Sequence, residues 1–191
     1  MAEQRRLEGK KVAILVARGF EQVEMEEPRK ALEEAGATTH LIAPESGTVR
    51  GWQHTKWGDE FDVDVPLDDA RPEDYDALLI PGGVMSPDRL RMNEKAVHFV
   101  RAIYDADKPI ASICHGPWML VEADIVRGIP VTSWPSLRTD LRNAGAEWVD
   151  REVVTHQGIV TSRKPDDIPA FNRKMIEEFA EGVHEERRRA A

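Results

Sequence analysis

KPIASICHGP, Lys108–Pro117, reads as a strand, a junction and the start of a helix. Pro109–Ile113 is apolar and β-like, and Gly116–Val121 suits a turn followed by a first helical turn. Cys114, the one cysteine of the chain, therefore falls at a strand-to-helix junction. Such a junction lifts a side chain out of the sheet and aims backbone amides at it. Those amides and the helix dipole favour negative charge, so a thiol placed there can be held as a thiolate. The logic is that of a nucleophile elbow with sulfur in place of oxygen. A lone cysteine is also commonly an inert buried residue. The junction, with His115 directly after it, tilts the reading toward a reactive role.

Outward from this stretch, strands and helices alternate. Lys11–Ala17 (KVAILVA) is an apolar run of strand length and reads as a buried parallel strand. Glu24–Ala35 reads as a helix stopped by Gly36, with Pro28 in its first turn or two, and Thr38–Ala43 as the second strand of a βαβ unit. Gly47–Gly58 is a hairpin or excursion before a strand at Phe61–Val65. Ala77–Ile80 is a third core strand, broken by Pro81-Gly82-Gly83, and Asn93–Tyr104 a helix with Ala96, Val97, Val100 and Ile103 at helical spacing. Short strands are expected at Pro130–Thr132, Glu147–Val149, Val153–Thr155 and Ile159–Ser162, and helices at Leu137–Ala144 and Ile168–Phe179. With no repeat, linker or shift in composition, the expected solution is one α/β domain over residues 1–191, with residues 1–9 and 183–191 as frayed tails.

Composition narrows the function classes. Charged residues are 32% and hydrophobic residues 41% of 191, ordinary for a soluble domain. No apolar run is long enough to span a bilayer, and the first residues do not read as a signal peptide, so no membrane partner is expected. One cysteine cannot form an internal disulfide or a cysteine-rich zinc site, and a reducing, cytoplasmic location fits. A net charge of −9 disfavours non-specific nucleic-acid binding.

In an open parallel sheet, sites form beyond the carboxyl ends of the strands. Three such ends carry candidate residues: Arg18–Glu21, Pro81–Gly83, and Cys114 with His115. Glu21 near a thiolate would have a raised pKa and could donate a proton to sulfur or substrate; from spacing alone a surface loop acid is the commoner meaning. The amides of Gly83 and His115 could form an oxyanion hole, although Pro-Gly-Gly is more commonly a plain turn. His115 could act as base or charge partner, but neighbouring residues point in different directions, so contact with Cys114 is not automatic. A histidine base also needs an orienting acid, for which Asp88 and Asp105–Asp107 are candidates by type. Trp118 and Trp134 could line a pocket or fill the core. The first strand is followed by RGFEQ and not by a glycine-rich phosphate turn, and the other histidines show no metal-ligand spacing, so no cofactor and no metal is expected.

GFEQVE (Gly19–Glu24), DALLIPGG (Asp76–Gly83), NEKAVHFVR (Asn93–Arg101), KPIASICHGPWML (Lys108–Leu120), LRTDLRNAGAEWVD (Leu137–Asp150) and TSRKPDDIPAFNRKMIEE (Thr161–Glu178) together resemble the DJ-1/PfpI superfamily. Within it they are most similar to the PfpI-like branch, the intracellular protease I or general stress protein 18 type. The resemblance implies a flavodoxin-like three-layer α/β sandwich. It places the family nucleophile on Cys114, the acid on Glu21, the following histidine on His115 and the backbone oxyanion donors on Gly83 and His115. It implies a further acid reaching the histidine from a neighbouring subunit, at the position of Asp88, and hence a homodimer or higher oligomer. The implied substrates are small aldehydes, glycated molecules or peptides, and the implied activities glyoxalase, deglycase or cysteine peptidase. A redox-sensing or chaperone-like stress protein is the implied non-enzymatic alternative. In the carbonyl reading, the thiolate adds to an aldehyde carbon and a hydroxy acid such as lactate is released.

Overall fold

The computed structural model describes residues 6–185. Its main sheet has seven strands: β1 (Lys11–Leu15), β2 (Thr38–Ala43), β5 (Val65–Pro66), β6 (Ala77–Ile80), β7 (Ile110–Ile113), β10 (Val153–His156) and β11 (Ile159–Ser162). Their order is β10-β11-β7-β6-β1-β2-β5. All neighbours run parallel except β10 and β11, which form an antiparallel hairpin at one edge. Pro66, which has no N–H to give, sits on the opposite edge strand, where one is not needed.

The strands are apolar on both faces, and alternation sorts them into two cores. Val12, Ile14 and Val16 face the layer of α1 (Gln22–Glu34) and α6 (Ile168–Glu181), where Met25, Leu32, Phe171, Met175 and Phe179 are buried. Ala13, Leu15 and Ala17 face the layer of α3 (Glu94–Asp105) and α4 (Trp118–Glu122), packing with Phe99, Val100, Met119 and Leu120. The result is the three-layer α/β sandwich expected from the sequence. Asn93 caps α3, its Oδ1 accepting from the amides of Lys95 and Ala96 at 3.0 and 3.3 Å, so that Ala96, Phe99, Val100 and Ile103 form the buried face.

Several boundaries differ from the sequence reading. The expected Phe61–Val65 strand is two elements: Phe61 ends β4 (Lys56–Asp62), which pairs with β3 (Thr48–Gln53) as a separate hairpin, and Val65 begins β5. The strands β8 (Pro130–Val131) and β9 (Glu147–Trp148) pair with each other outside the main sheet. The short helices α2 (Met85–Arg91) and α5 (Arg138–Asn143) complete the fold, and α2 was not anticipated. Its proline, Pro87, sits in the first turn, where no intrahelical N–H is lost. Residues 6–9 are not frayed, because Leu7 is fully buried and its amide donates to the Ala35 carbonyl at 2.9 Å. At the other end Val183 is exposed but the His184 amide donates to the Asp107 carbonyl at 2.9 Å. The rest of both expected tails, residues 1–5 and 186–191, lies outside the described residues. No helix is long and apolar enough to cross a membrane among the described residues.

Candidate active site

β7, β6 and β1 lie side by side, so the loops after them meet. The connection from β1 runs outward to β2, while β6 and β7 lie on its other side; this is a switch point of the sheet. A cavity of about 690 Å³ opens there, with Cys114, His115, Glu24, Glu21 and Gly83 on its lining and Trp52 and Trp134 among its walls.

Cys114 is 6% exposed and has a left-handed backbone, φ 62°. A non-glycine residue there costs about 1–3 kcal/mol and persists where its surroundings hold it. Here the Cys114 amide donates to the Ser162 carbonyl of β11 at 3.0 Å, and its carbonyl accepts from Trp134 at 2.9 Å. Both bonds fix the turn that points the sulfur into the cavity. The backbone amides of Gly83 and His115 stand near that sulfur and favour its charged form. Gly83 has φ 80°, which turns its amide inward. Gly82 is needed for space, since a Cβ there would stand 2.6 Å from the Cys114 Cβ.

The carboxyl beside the sulfur belongs to Glu24 and not to Glu21. Glu24 lies in the first turn of α1 and is 0% exposed. Its Oε2 accepts from the Gly82 amide at 2.9 Å, and a Cβ added at Gly82 would meet both that oxygen and the Cys114 Cβ, so the carboxyl lies beside the Cys114 side chain. Its Oε1 is buried with no hydrogen-bond partner among the described residues. Burial, then the charge of Glu21, push Glu24 up to about 8, so it keeps its proton at neutral pH. The Cys114 thiol is also raised, first by burial and then by the Glu24 charge, while the two amides act in the opposite sense. Two negative charges do not coexist there: burial holds the proton on both groups at neutral pH, and the amides of Gly83 and His115 offset part of the rise on sulfur.

Glu21 is the residue at the α1 N-cap, one helical turn before Glu24, and it faces the cavity rim. It accepts from the His54 amide at 3.4 Å, and the His54 ring lies 4.0 Å away. Partial burial raises its pKa, and His54 lowers it in part. The sequence offered two glutamates in GFEQVE; the helix turns the second toward the sheet and leaves the first at the mouth, because residues three apart share a face only when both follow the helix start.

His115 does contact Cys114: its Nδ1 lies 3.2 Å from Sγ. Its ring stacks on Trp134 at 6.0 Å and meets the edge of Trp118 at 5.2 Å, so these two tryptophans frame the histidine and are not plain core. Burial lowers its pKa to about 4, leaving a neutral imidazole at pH 7. Among the described residues no carboxylate is in ion-pair distance of His115. Asp105 pairs with Arg101 at 2.9 Å, and both Asp105 and Asp107 precede β7, at the opposite end of the strand from Cys114. Asp88 stands exposed in the first turn of α2 and does not line the cavity of its own chain. Spacing showed no metal set, yet the fold brings Glu178, Glu181 and His184 within 4.8 Å at the end of α6, away from the cavity lining.

Comparison with known proteins agrees with this geometry. The sequence pattern of the DJ-1/PfpI family matches residues 10–178. General stress protein 18 of Bacillus subtilis is 48% identical over 170 residues, covering 88% of this chain and 96% of that protein. Deglycase PH1704 of Pyrococcus horikoshii is 43% identical over 166 residues, covering 87% and 97%. Among solved structures, Drosophila melanogaster DJ-1beta superposes with a TM-score of 0.80 at 25% identity, covering 90% of each chain. With its strained cysteine at the switch point of a matching sheet, the chain belongs to the DJ-1/PfpI family.

Proposed function

We propose that the protein is a cytoplasmic, cysteine-dependent stress enzyme that acts on reactive carbonyl compounds, as a glyoxalase or a deglycase. The observation that carries this reading is the shared cavity in which the Cys114 sulfur lies 3.2 Å from His115 Nδ1 and beside the fully buried Glu24 carboxyl. The relatives named a general stress protein and a deglycase support it.

In this reading, the neutral His115 imidazole, 3.2 Å from sulfur, takes the thiol proton as sulfur adds to the aldehyde carbon of methylglyoxal and a C–S bond forms, and it returns that proton to the enediol oxygen in the later step. The carbonyl electron pair moves to oxygen, which takes the Glu24 proton while the Gly83 and His115 amides stabilise the developing charge. Glu24, now a carboxylate, removes the proton from the same carbon, and the electron pair passes to the adjacent carbonyl as an enediol. Reprotonation at that second carbon gives a thioester. Water cleaves it to lactate and free thiol, so the overall change is methylglyoxal plus water to lactate, with no external oxidant or reductant.

A second copy of the chain completes the proposal. His115 has no acid within its own described chain, and Asp88 is exposed on α2, free to reach another molecule. Val84, at 55% exposure, and Trp134, at 38%, are exposed apolar side chains on the cavity lining that a neighbouring copy would cover. Lactate release from methylglyoxal by the purified protein, and its loss in Cys114→Ser, tests the reading. Parallel assays on a glycated amino acid, with free aldehyde trapped, and on a peptide assign the reaction. Full activity in Cys114→Ser would sink the nucleophile, and turnover of the peptide alone would favour a peptidase.

A further inference from the structure

The segment Arg163–Asp167 (RKPDD) plays no part in the chemistry above, yet it is held firmly against the site. Ser162, the last residue of β11, accepts the Cys114 amide at 3.0 Å. The next residue, Arg163, is clamped. Its Nε and Nη2 donate to the two oxygens of Asp167 at 2.8 and 3.0 Å, and its Nη1 donates to Asp150 at 2.7 Å. Asp167 is 4% exposed and also accepts the Arg163 amide at 3.2 Å. A two-point guanidinium–carboxylate contact of this kind fixes orientation as well as distance. Pro165 stiffens the other side by opening the helical turn Pro165–Asp167. Lys164 is therefore presented from a braced backbone, two residues beyond the carbonyl that holds the nucleophile.

Lys164 lines the cavity, and among its described lining residues it is the one lysine or arginine. Its Nζ lies 3.2 Å from Asp166 Oδ2, with the two side chains 41% and 81% exposed. An exposed pair of this kind is weak and readily exchanged for another anion. The cavity, at about 690 Å³, is in the range that encloses a drug-sized ligand and exceeds what a three-carbon aldehyde fills.

We propose that Lys164 is a specificity-determining residue that pairs with a carboxylate on the substrate, so that the site favours carbonyl adducts carrying that group over neutral ones. The inference rests on the carbonyl-enzyme reading of the same cavity. A carboxylate fits better than a phosphate, because a single ammonium flanked by Asp166, in a cavity that also holds Glu21, meets one negative charge and not two.

Matched alkylating agents test this without relying on turnover. N-bromoacetyl-glycine and its amide differ in one carboxylate. Each loses bromide as the Cys114 sulfur forms a C–S bond, and with one cysteine in the chain a single mass increase reports the rate. The quantity read is the ratio of the acid's rate to the amide's. Lys164→Met lowers that ratio about three- to tenfold, the worth of a partly exposed charge-assisted bond. Lys164→Arg retains most of it, and Asp166→Asn raises it. Lys30→Met, which removes an exposed charge on α1, leaves the ratio in place. A ratio within about twofold of the parent in Lys164→Met, or an equal fall in Lys30→Met, overturns the proposal. Failure of both reagents to label Cys114 overturns the nucleophile reading and this proposal with it.

Discussion

The two flanks of Cys114 are built differently. On the Glu24 side the surroundings are internal: the carboxyl is sealed beside the sulfur, the Gly82 amide holds one oxygen at 2.9 Å, and the other oxygen has no partner among the described residues. On the His115 side the imidazole is framed by Trp118 and Trp134 and lies 3.2 Å from sulfur, yet no carboxylate of the described chain orients it. One flank is a closed proton store within a single chain. The other is open, and its completion is assigned here to a second copy. A sealed carboxyl must be accommodated during folding, because burying it charged and unpaired is costly, whereas the neutral imidazole of His115, at the cavity wall, carries no charge that needs an acid of its own chain.

The closed flank gives the largest expected effect. Glu24→Gln keeps an acceptor for the Gly82 amide but removes the mobile proton, and kcat/KM for lactate formation should fall by about 10²–10⁴. A loss under about fivefold would mean that Glu24 is merely structural. In the parent protein activity should decline as pH rises through about 8, where Glu24 loses its proton. That alkaline limb should be missing from the residual rate of Glu24→Gln.

The open flank should respond less, and in a way that depends on concentration. Asp88→Asn should lower kcat/KM about tenfold while leaving Cys114 reactive toward a neutral alkylating agent. If the neighbouring copy supplies this acid, the parent's specific activity falls on dilution below the dissociation constant of the assembly and that of Asp88→Asn does not. Equal dilution behaviour of the two would break the contrast between the flanks.

Stability carries a smaller signature of the closed flank. Glu24 titrates near 4.5 when exposed and near 8 in the folded chain. Between those values the native state holds more protons than the unfolded state, so the Glu24 contribution to stability is present at low pH and is lost as pH rises from about 4.5 to about 8. Denaturant midpoints measured from pH 5 to 8 should drop more steeply for the parent than for Glu24→Gln, by more than about 1 kcal/mol across the range. Parallel slopes would show that the carboxyl is not strained by burial. Glu21→Gln, at the rim with His54, should change kcat/KM by less than about threefold, since a half-buried loop acid is screened by water.

Much of this was legible in the chain alone. VAILVA is an uninterrupted apolar run of strand length and PIASI is broken only by Ser112, and such short runs bounded by turn residues read as buried parallel strands. The Cys114 junction followed from composition on either side of it, and PGG marked the close approach that Gly82 makes to the Cys114 Cβ. Helix α2 was hidden because MSPDRLR is short and carries a proline, and its stability comes from packing, including the Ala17 amide on the Ser86 hydroxyl at 2.9 Å. The choice between Glu21 and Glu24 was equally hidden. Both sit in GFEQVE, and which one is buried depends on where α1 begins and on the angle at which it meets β6 and β7.

The sequence by itself determined the order of the main strands and longer helices, the α/β class and the placement of the one cysteine at a strand-to-helix junction, because those depend on local periodicity. Only the tertiary structure decided which carboxyl sits on sulfur, that His115 reaches it, and that Lys164 stands at the same cavity. Those are matters of distance between segments far apart in the chain, and burial and proton affinity follow from such distances, not from residue type.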